Sequence, residues 1–224
     1  MKSERNLIIL VFILITNLGF SQNDNGKIPF NALPYYNFEP LTITIGKYQK
    51  ELLTNDLAEL KKIEEKIKND INNTDIESLY ILSIRLYDLG EKDDAFYWFQ
   101  TAKTRARIFI NMLDKEKIGS IGSIAFEIKQ FFVSCNQLVG EYMNGCGFND
   151  FEKGLATYEK VKNEVKNIQS YKNVYKNISF IDDSNLETQK EKKEKELSDG
   201  IEYFKKNKEE IIKTRIENGI QGKY

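Results

Sequence analysis

Residues 79–107 read LYILSIRLYDLGEKDDAFYWFQTAKTRAR, and their pattern decides the fold. Apolar residues recur every three or four positions on both sides of Gly90, which is typical of two amphipathic helices. The two apolar faces consist of Leu79, Leu82, Leu86 and Leu89, and of Ala95, Phe99, Ala102, Ala106, Phe109 and Leu113. Gly90 suits the left-handed conformation that ends a helix, and Asp93 and Asp94 suit the positive end of the next helix dipole. The stretch therefore predicts a helical hairpin.

Proline is confined to one short part of the chain. Pro29, Pro34 and Pro40 fall within twelve residues, and no proline follows them. Because proline interrupts helix interiors, residues 22–45 are predicted to be an irregular leader and residues 46–169 a helical domain. The leader is rich in aromatic side chains and is expected to lie in extended form against the helices.

Several helix boundaries are marked by polar residues. Residues 56–68 predict an amphipathic helix that Thr54 or Asn55 caps. Thr74 or Asp75 is expected to begin the next helix, the first of the hairpin.

Residues 121–142 carry two apolar stripes and are expected to form a helix in the middle of the fold. One stripe contains Ile121, Ala125, Ile128, Phe132, Cys135, Val139 and Tyr142, and the other contains Ile124, Phe131 and Leu138. The run NGCGFN at 144–149 is expected to break this helix, and a further amphipathic helix is predicted to follow it.

The last part of the chain changes in composition. Residues 170–184 are predicted to be a connector, and residues 185–217 a long helix with nine basic and nine acidic residues. The first half of that helix is expected to be solvated and held by charge pairs, and the second half to pack.

The stretch 79–107 resembles one repeat of the tetratricopeptide family, or of the related Sel1-like family. The positions that match the family pattern are Leu79, Leu82, Ser83, Leu86, Gly90, Ala95, Phe99 and Ala102. Arg107 stands where the family usually has a terminating proline, so the second helix is expected to continue to Leu113. A weaker similarity appears at 142–165, where Gly154, Tyr158 and Val161 could occupy second-helix positions.

The resemblance implies an all-α fold in which antiparallel helix hairpins form a compact bundle or a short solenoid. It also implies that the chain binds a partner, by analogy with the family. The part that begins at Gly90 is similar to small exported bacterial proteins of unknown function as well.

Residues 1–21 have the features of a secretory signal peptide. Lys2 and Arg5 precede an apolar run of nine residues, and Gly19 and Ser21 suit a cleavage site. The alternative is a short membrane anchor, although nine residues are too few to cross a bilayer. The chain is therefore expected to be exported to the periplasm or secreted, with no stable membrane insertion after cleavage. Its 33 basic and 34 acidic residues nearly balance, which predicts no nucleic-acid partner.

The chemistry open to the chain is narrow. There is no histidine, the two cysteines are too few for a four-thiolate metal site, and no GxxxxGK phosphate loop occurs. We therefore predict no catalytic residue, no cofactor and no metal. Cys135 and Cys146 either form one disulfide, if the chain doubles back between them, or remain two thiols.

Carboxylate catalysis is the enzyme class that this composition permits. Glu127 and Glu141 lie in an otherwise apolar segment, but they are about 21 Å apart along a helix and cannot act as a pair. A glycan hydrolase would need a second carboxylate for either of them.

Candidate contact residues are Trp98 and Arg105 on the hairpin, with Tyr35 and Tyr36 in the leader, because tryptophan, tyrosine and arginine dominate interfaces. The alternative for Trp98 is packing against a neighbouring helix. The favoured hypothesis is an exported helical scaffold that binds a protein or peptide in a groove between hairpins. The alternatives are a cell-wall glycan hydrolase, and an inhibitor or immunity protein of an exported enzyme.

Overall fold

A computed structural model describes residues 46–224, and this part of the chain is entirely helical, as the sequence predicts. It contains eight α helices: α1 (Leu57–Asn69), α2 (Ile76–Asp88), α3 (Lys92–Met112), α4 (Ile124–Leu138), α5 (Gly140–Gly147), α6 (Phe151–Glu164), α7 (Ser184–Lys206) and α8 (Lys208–Glu217). Five short 3-10 turns link some of them. None of these helices is both long enough and apolar enough to cross a bilayer.

The first two helices begin at aspartates. The Asp56 carboxylate accepts a hydrogen bond from the Glu59 backbone N–H at 3.1 Å, and Asp75 caps α2 in the same way through Ser78. Thr54 and Asn55 are therefore not the caps of α1. The predicted cap of α2 at Asp75 is correct.

The α2 and α3 hairpin is the centre of the fold. Gly90 has a φ of 90° and ends α2, so that α3 begins two residues later. The small residues Ser83, Ala95 and Ala102 are all fully buried, which lets the two helices approach closely. Helices α1 and α4 also contact α2, while α4, α5, α6 and α7 contact α3. The hairpin is therefore largely covered by other helices.

The predicted connector at 170–184 is more than a link. Its Tyr171, Tyr175 and Phe180 rings surround Phe109 of α3, with centroids 4.8 to 5.4 Å from the Phe109 ring. The backbone N–H of Ile181 donates to the Met112 carbonyl at 2.9 Å. This segment therefore completes the core beside the end of α3.

The prediction for residues 121–142 is partly wrong. Phe132, Cys135 and Val139 are fully buried, but Ile124 and Leu138 of the second stripe are about half exposed, at 53% and 49%. Helix α4 thus lies at the edge of the fold rather than in the middle.

The glycine-rich run at 144–149 ends the helical segment as predicted, since α5 stops at Gly147 and α6 begins at Phe151. Gly147 allows the Phe96 ring to lie against its backbone, where a Cβ atom would be 2.4 Å from the ring. Gly147 thus permits close packing of α5 on α3, while Gly145 lies against the Tyr224 ring.

The long charged helix is divided at Asn207 into α7 and α8. Its packing follows the expectation only in part: Leu197 and Ile201 are buried as predicted, whereas Leu186, in the half expected to be solvated, is also buried and Ile216 in α8 is 60% exposed. Helix α8 is instead held through Arg215, which donates to the Gly145 carbonyl at 2.7 Å.

Candidate functional site

Trp98 is a core residue. It is fully buried, and its indole N–H donates to the Glu64 carboxylate of α1 at 2.7 Å. A buried indole with a satisfied N–H links α1 to α3 and is not available to a partner. Of the two interpretations of Trp98, packing is therefore correct, and its role as an exposed contact residue is ruled out by its position.

Arg105 is also removed from the surface, with only 6% of the residue exposed. One guanidinium nitrogen donates to the Asn72 side-chain oxygen at 3.1 Å. Within residues 46–224, no carboxylate oxygen lies within 4.0 Å of the guanidinium. Burial lowers the pKa of Arg105, because the charged form has lost solvent.

Arg105 lies at the inner end of a cavity of about 180 Å³ between α3, α6 and the turns next to α1 and α6. The lining residues are Lys68, Ile71, Tyr97, Thr101, Thr104, Arg105, Val161, Glu164, Val165, Asn167 and Ile168. Lys68 and Asn167 are exposed and form the mouth, whereas Thr101, Thr104 and Arg105 are buried. The cavity therefore runs from solvent to a buried cation.

Two further polar groups of this cavity have defined contacts. The Tyr97 hydroxyl donates to the half-buried Glu164 carboxylate at 2.8 Å. The Thr101 hydroxyl oxygen is buried and makes no hydrogen bond of ordinary geometry, although it lies near the Tyr97 hydroxyl. The cavity thus combines a buried cation, a second cation at its mouth, one carboxylate and an unsatisfied hydroxyl.

A second feature is the exposed apolar side of α4. Seven large apolar side chains are exposed in the described part of the chain, and four of them fall within residues 121–138. Ile124 and Leu138 are fourteen positions apart, at the two ends of α4, with Ile121 just before its first turn, while Phe131 and Cys135 between them are buried. We call Ile121, Ile124 and Leu138 the α4 face.

The α4 face also lies in a part of the sequence that is poor in charge. Residues 121–147 contain only three charged residues, Glu127, Lys129 and Glu141, whereas 30% of the whole chain is charged. Depletion of charge together with exposed apolar side chains is the compositional mark of a protein interface.

The two candidate catalytic glutamates serve other contacts. Glu127 accepts a hydrogen bond from the Gly122 backbone N–H at 2.7 Å, just before its own helix. Glu141 is exposed and accepts a hydrogen bond from the Tyr224 hydroxyl. Residues 46–224 contain no cluster of three or more potential metal-ligating side chains.

No pattern in the sequence indicates the burial of one carboxylate, that of Glu77. Glu77, in the first turn of α2, is 5% exposed and accepts a hydrogen bond from the Tyr175 hydroxyl. Burial raises its pKa to about 7, and the nearby Asp75 carboxylate acts in the same direction, while the Tyr175 hydrogen bond opposes them. Its partner lies 98 positions away, beyond the reach of any local pattern.

Cys135 and Cys146 are both buried, and both are free. Of the two alternatives, the disulfide is therefore wrong. The chain does not double back between them, because Val139 keeps helical dihedral angles. Eleven helical positions span roughly 16 Å, far more than the separation that a disulfide permits.

Both thiols are expected to react slowly in the folded protein. Burial raises the pKa of each cysteine, and that of Cys146 to about 11, so the reactive thiolate is about a hundredfold rarer than in an exposed cysteine. Titration with a thiol reagent at pH 8 and without reductant should find two thiols in urea and almost none before unfolding. Finding no reactive thiol in urea would show that the bridge forms after all.

The predicted signal peptide, the leader, Tyr35 and Tyr36 all lie outside the described residues. No family model, no curated protein and no solved structure matches the chain. The tetratricopeptide resemblance and the export of the chain therefore stay predictions.

Proposed function

We propose that this chain is an exported, non-catalytic helical protein that binds a protein partner through the α4 face. The observation that carries the proposal is the exposure of Ile121, Ile124 and Leu138, at 66%, 53% and 49%, on a charge-poor helix and the turn before it. Exposed apolar groups of this kind cost free energy in water, and a partner that covers them recovers it.

The proposed partner contacts the α4 face through a segment with apolar and uncharged side chains. Helix α4 is about 22 Å long, which is enough to contact three turns of a helix or an extended segment of similar length. A strongly charged ligand would find no free side chain of opposite charge on this face, because the Glu127 carboxylate already accepts a hydrogen bond from the Gly122 backbone N–H. The proposed site of partner binding is therefore the α4 face, in place of the groove between hairpins that the sequence suggested.

A photo-crosslinking amino acid at position 138, in cells that naturally produce the protein, tests the proposal. Leu138 should give an adduct with one defined protein, whereas Gln137, also exposed but about 100° around the helix, should give little. Ile124→Ser should abolish the adduct from position 138. Because Ile124 is exposed, this change should leave the free energy of unfolding within about 0.5 kcal/mol.

Equal adducts from positions 137 and 138 would contradict the proposal, and so would adducts confined to a second copy of the chain or to its own residues 1–45. If the partner is an enzyme whose activity falls on binding, the chain is an inhibitor or immunity protein, which is a special case of the same function.

A further inference from the structure

A buried arginine with no carboxylate beside it is unusual, because isolated charges are costly to remove from water. In the described part of the chain the Arg105 guanidinium makes one hydrogen bond, to Asn72, although a guanidinium carries five N–H donors. Its position at the inner end of an open cavity leaves donors for a ligand. The fork of a guanidinium matches a carboxylate with two parallel hydrogen bonds.

The opposite charge lies on the wall of the same cavity. Glu164 is more than 4.0 Å from the guanidinium, and both of its carboxylate oxygens lie within hydrogen-bond distance of the Tyr97 hydroxyl. A carboxylate has about four lone-pair sites, so Glu164 keeps the capacity to accept hydrogen bonds from an ammonium group. A cation and an anion therefore line one cavity without pairing directly.

The remaining wall is aliphatic. Ile71, Val161, Val165 and Ile168 contribute to the lining, and Thr101 adds a buried hydroxyl that has no other partner of ordinary geometry. The cavity of about 180 Å³ has the volume of about six water molecules. That volume accommodates a small amino acid.

We propose that this cavity binds a free α-amino acid with a short aliphatic side chain. Its carboxylate binds Arg105 and Thr101, its ammonium group binds Glu164, and its side chain contacts the valines and isoleucines of the wall. Lys68 and Asn167 at the mouth leave an entrance from solvent. The proposal does not depend on the α4 face, which is formed by a different helix.

Three matched probes separate the contributions of the two charges. L-Valine carries both, 3-methylbutanoate lacks the ammonium group, and isobutylamine lacks the carboxylate. Binding to the full chain is measured by calorimetry and by the fluorescence of Trp98, which is the single tryptophan and lies next to Tyr97 with ring centroids 5.1 Å apart. L-Valine is expected to bind at least about tenfold more tightly than either analogue.

Glu164→Gln provides the decisive variant, because glutamine can still accept the Tyr97 hydrogen bond but carries no charge. The affinity for L-valine should fall about tenfold, while the affinity for 3-methylbutanoate should stay within about twofold. Glu202→Gln, at an exposed position of α7, is the control and should change neither. Arg105→Lys, which keeps the charge but loses the fork, should weaken both L-valine and 3-methylbutanoate.

Two outcomes would overturn the proposal. One is the absence of saturable binding by glycine, L-alanine, L-valine and L-leucine up to about 10 mM, which would indicate that water alone fills the cavity. The other is an equal loss of affinity for L-valine and 3-methylbutanoate in the Glu164→Gln variant, with an unchanged unfolding curve. This result would mean that Glu164 does not contact the ammonium group of the ligand.

Discussion

Replacing Phe109 with alanine is expected to lower the free energy of unfolding by about 3 to 5 kcal/mol. Phe109 is fully buried, and its ring contacts Phe132 of α4 as well as Tyr171, Tyr175 and Phe180 of the segment that follows α6. Removal of the ring leaves a cavity where three parts of the chain meet. The edge-to-face contacts with its neighbours, each worth about 0.5 to 1.5 kcal/mol, are lost with it.

Urea unfolding followed by Trp98 fluorescence gives the measurement. Phe109→Leu, which keeps much of the volume, should cost less than the alanine variant. Tyr203→Ala is the control, because Tyr203 is 60% exposed and its loss should change the free energy by no more than about 0.5 kcal/mol. A loss below about 1 kcal/mol for Phe109→Ala would mean that the segment around Tyr171 and Tyr175 is not packed as described.

The second large effect is a dependence of stability on pH that arises at Glu77. The pKa of this carboxyl is about 7 in the folded protein and 4.5 without the fold, so the folded state binds the proton more tightly. The contribution of Glu77 to stability is therefore fully present below pH 4.5, and it falls as the pH rises towards 7. The difference of 2.5 pKa units corresponds to a loss of at most about 3 kcal/mol in the free energy of unfolding.

Glu77→Gln removes the titration and keeps the shape of the side chain. The free energy of unfolding of this variant, minus that of the natural protein, is expected to rise by up to about 3 kcal/mol between pH 4.5 and pH 8. The difference is the useful quantity, because Asp70, Glu159 and Asp182 have lowered pKa values and change the stability of both proteins in the opposite sense. Urea unfolding across this pH range measures it.

The control for Glu77 is the exposed Glu202, whose change to glutamine should give a difference that does not vary with pH. If the Glu77→Gln difference were also constant, the Glu77 carboxyl would have its ordinary pKa and the contact with Tyr175 would be open to solvent.

The hairpin of α2 and α3 was predictable because every signal for it is local. Gly90 at the turn, the aspartates after it and the small residues Ser83, Ala95 and Ala102 all act within one or two helical turns. The all-helical fold follows from the same periodicity, together with the confinement of proline to the leader.

The errors concern which face of a helix is covered. Ile124 and Leu138 are as apolar as Phe132, and periodicity alone does not say which of two stripes meets the core. For the same reason α7 packs through Leu186, in the half that was expected to be solvated. A narrow apolar stripe of this kind is difficult to recognise in a sequence that is rich in charged residues.

The polar sites were beyond a sequence pattern for a different reason. Arg105 meets Asn72 across 33 positions, and Tyr97 meets Glu164 across 67. Such pairs depend on how whole helices are arranged. The only local sign was the residue type of Arg105, which suggested an exposed contact, whereas Arg105 is buried and lines a cavity.

The hydroxyl of Tyr175 accepts a hydrogen bond from the backbone N–H of Ile76 at the start of α2, across 99 positions. A ribosome that adds about 5 to 20 residues per second takes roughly 5 to 20 s to make that stretch. Until then the nascent hairpin lacks the tyrosines that cover Phe109. A newly made chain therefore passes through a period in which its central aromatic cluster is uncovered, and the folding of this core can finish only after Tyr175 has been synthesised.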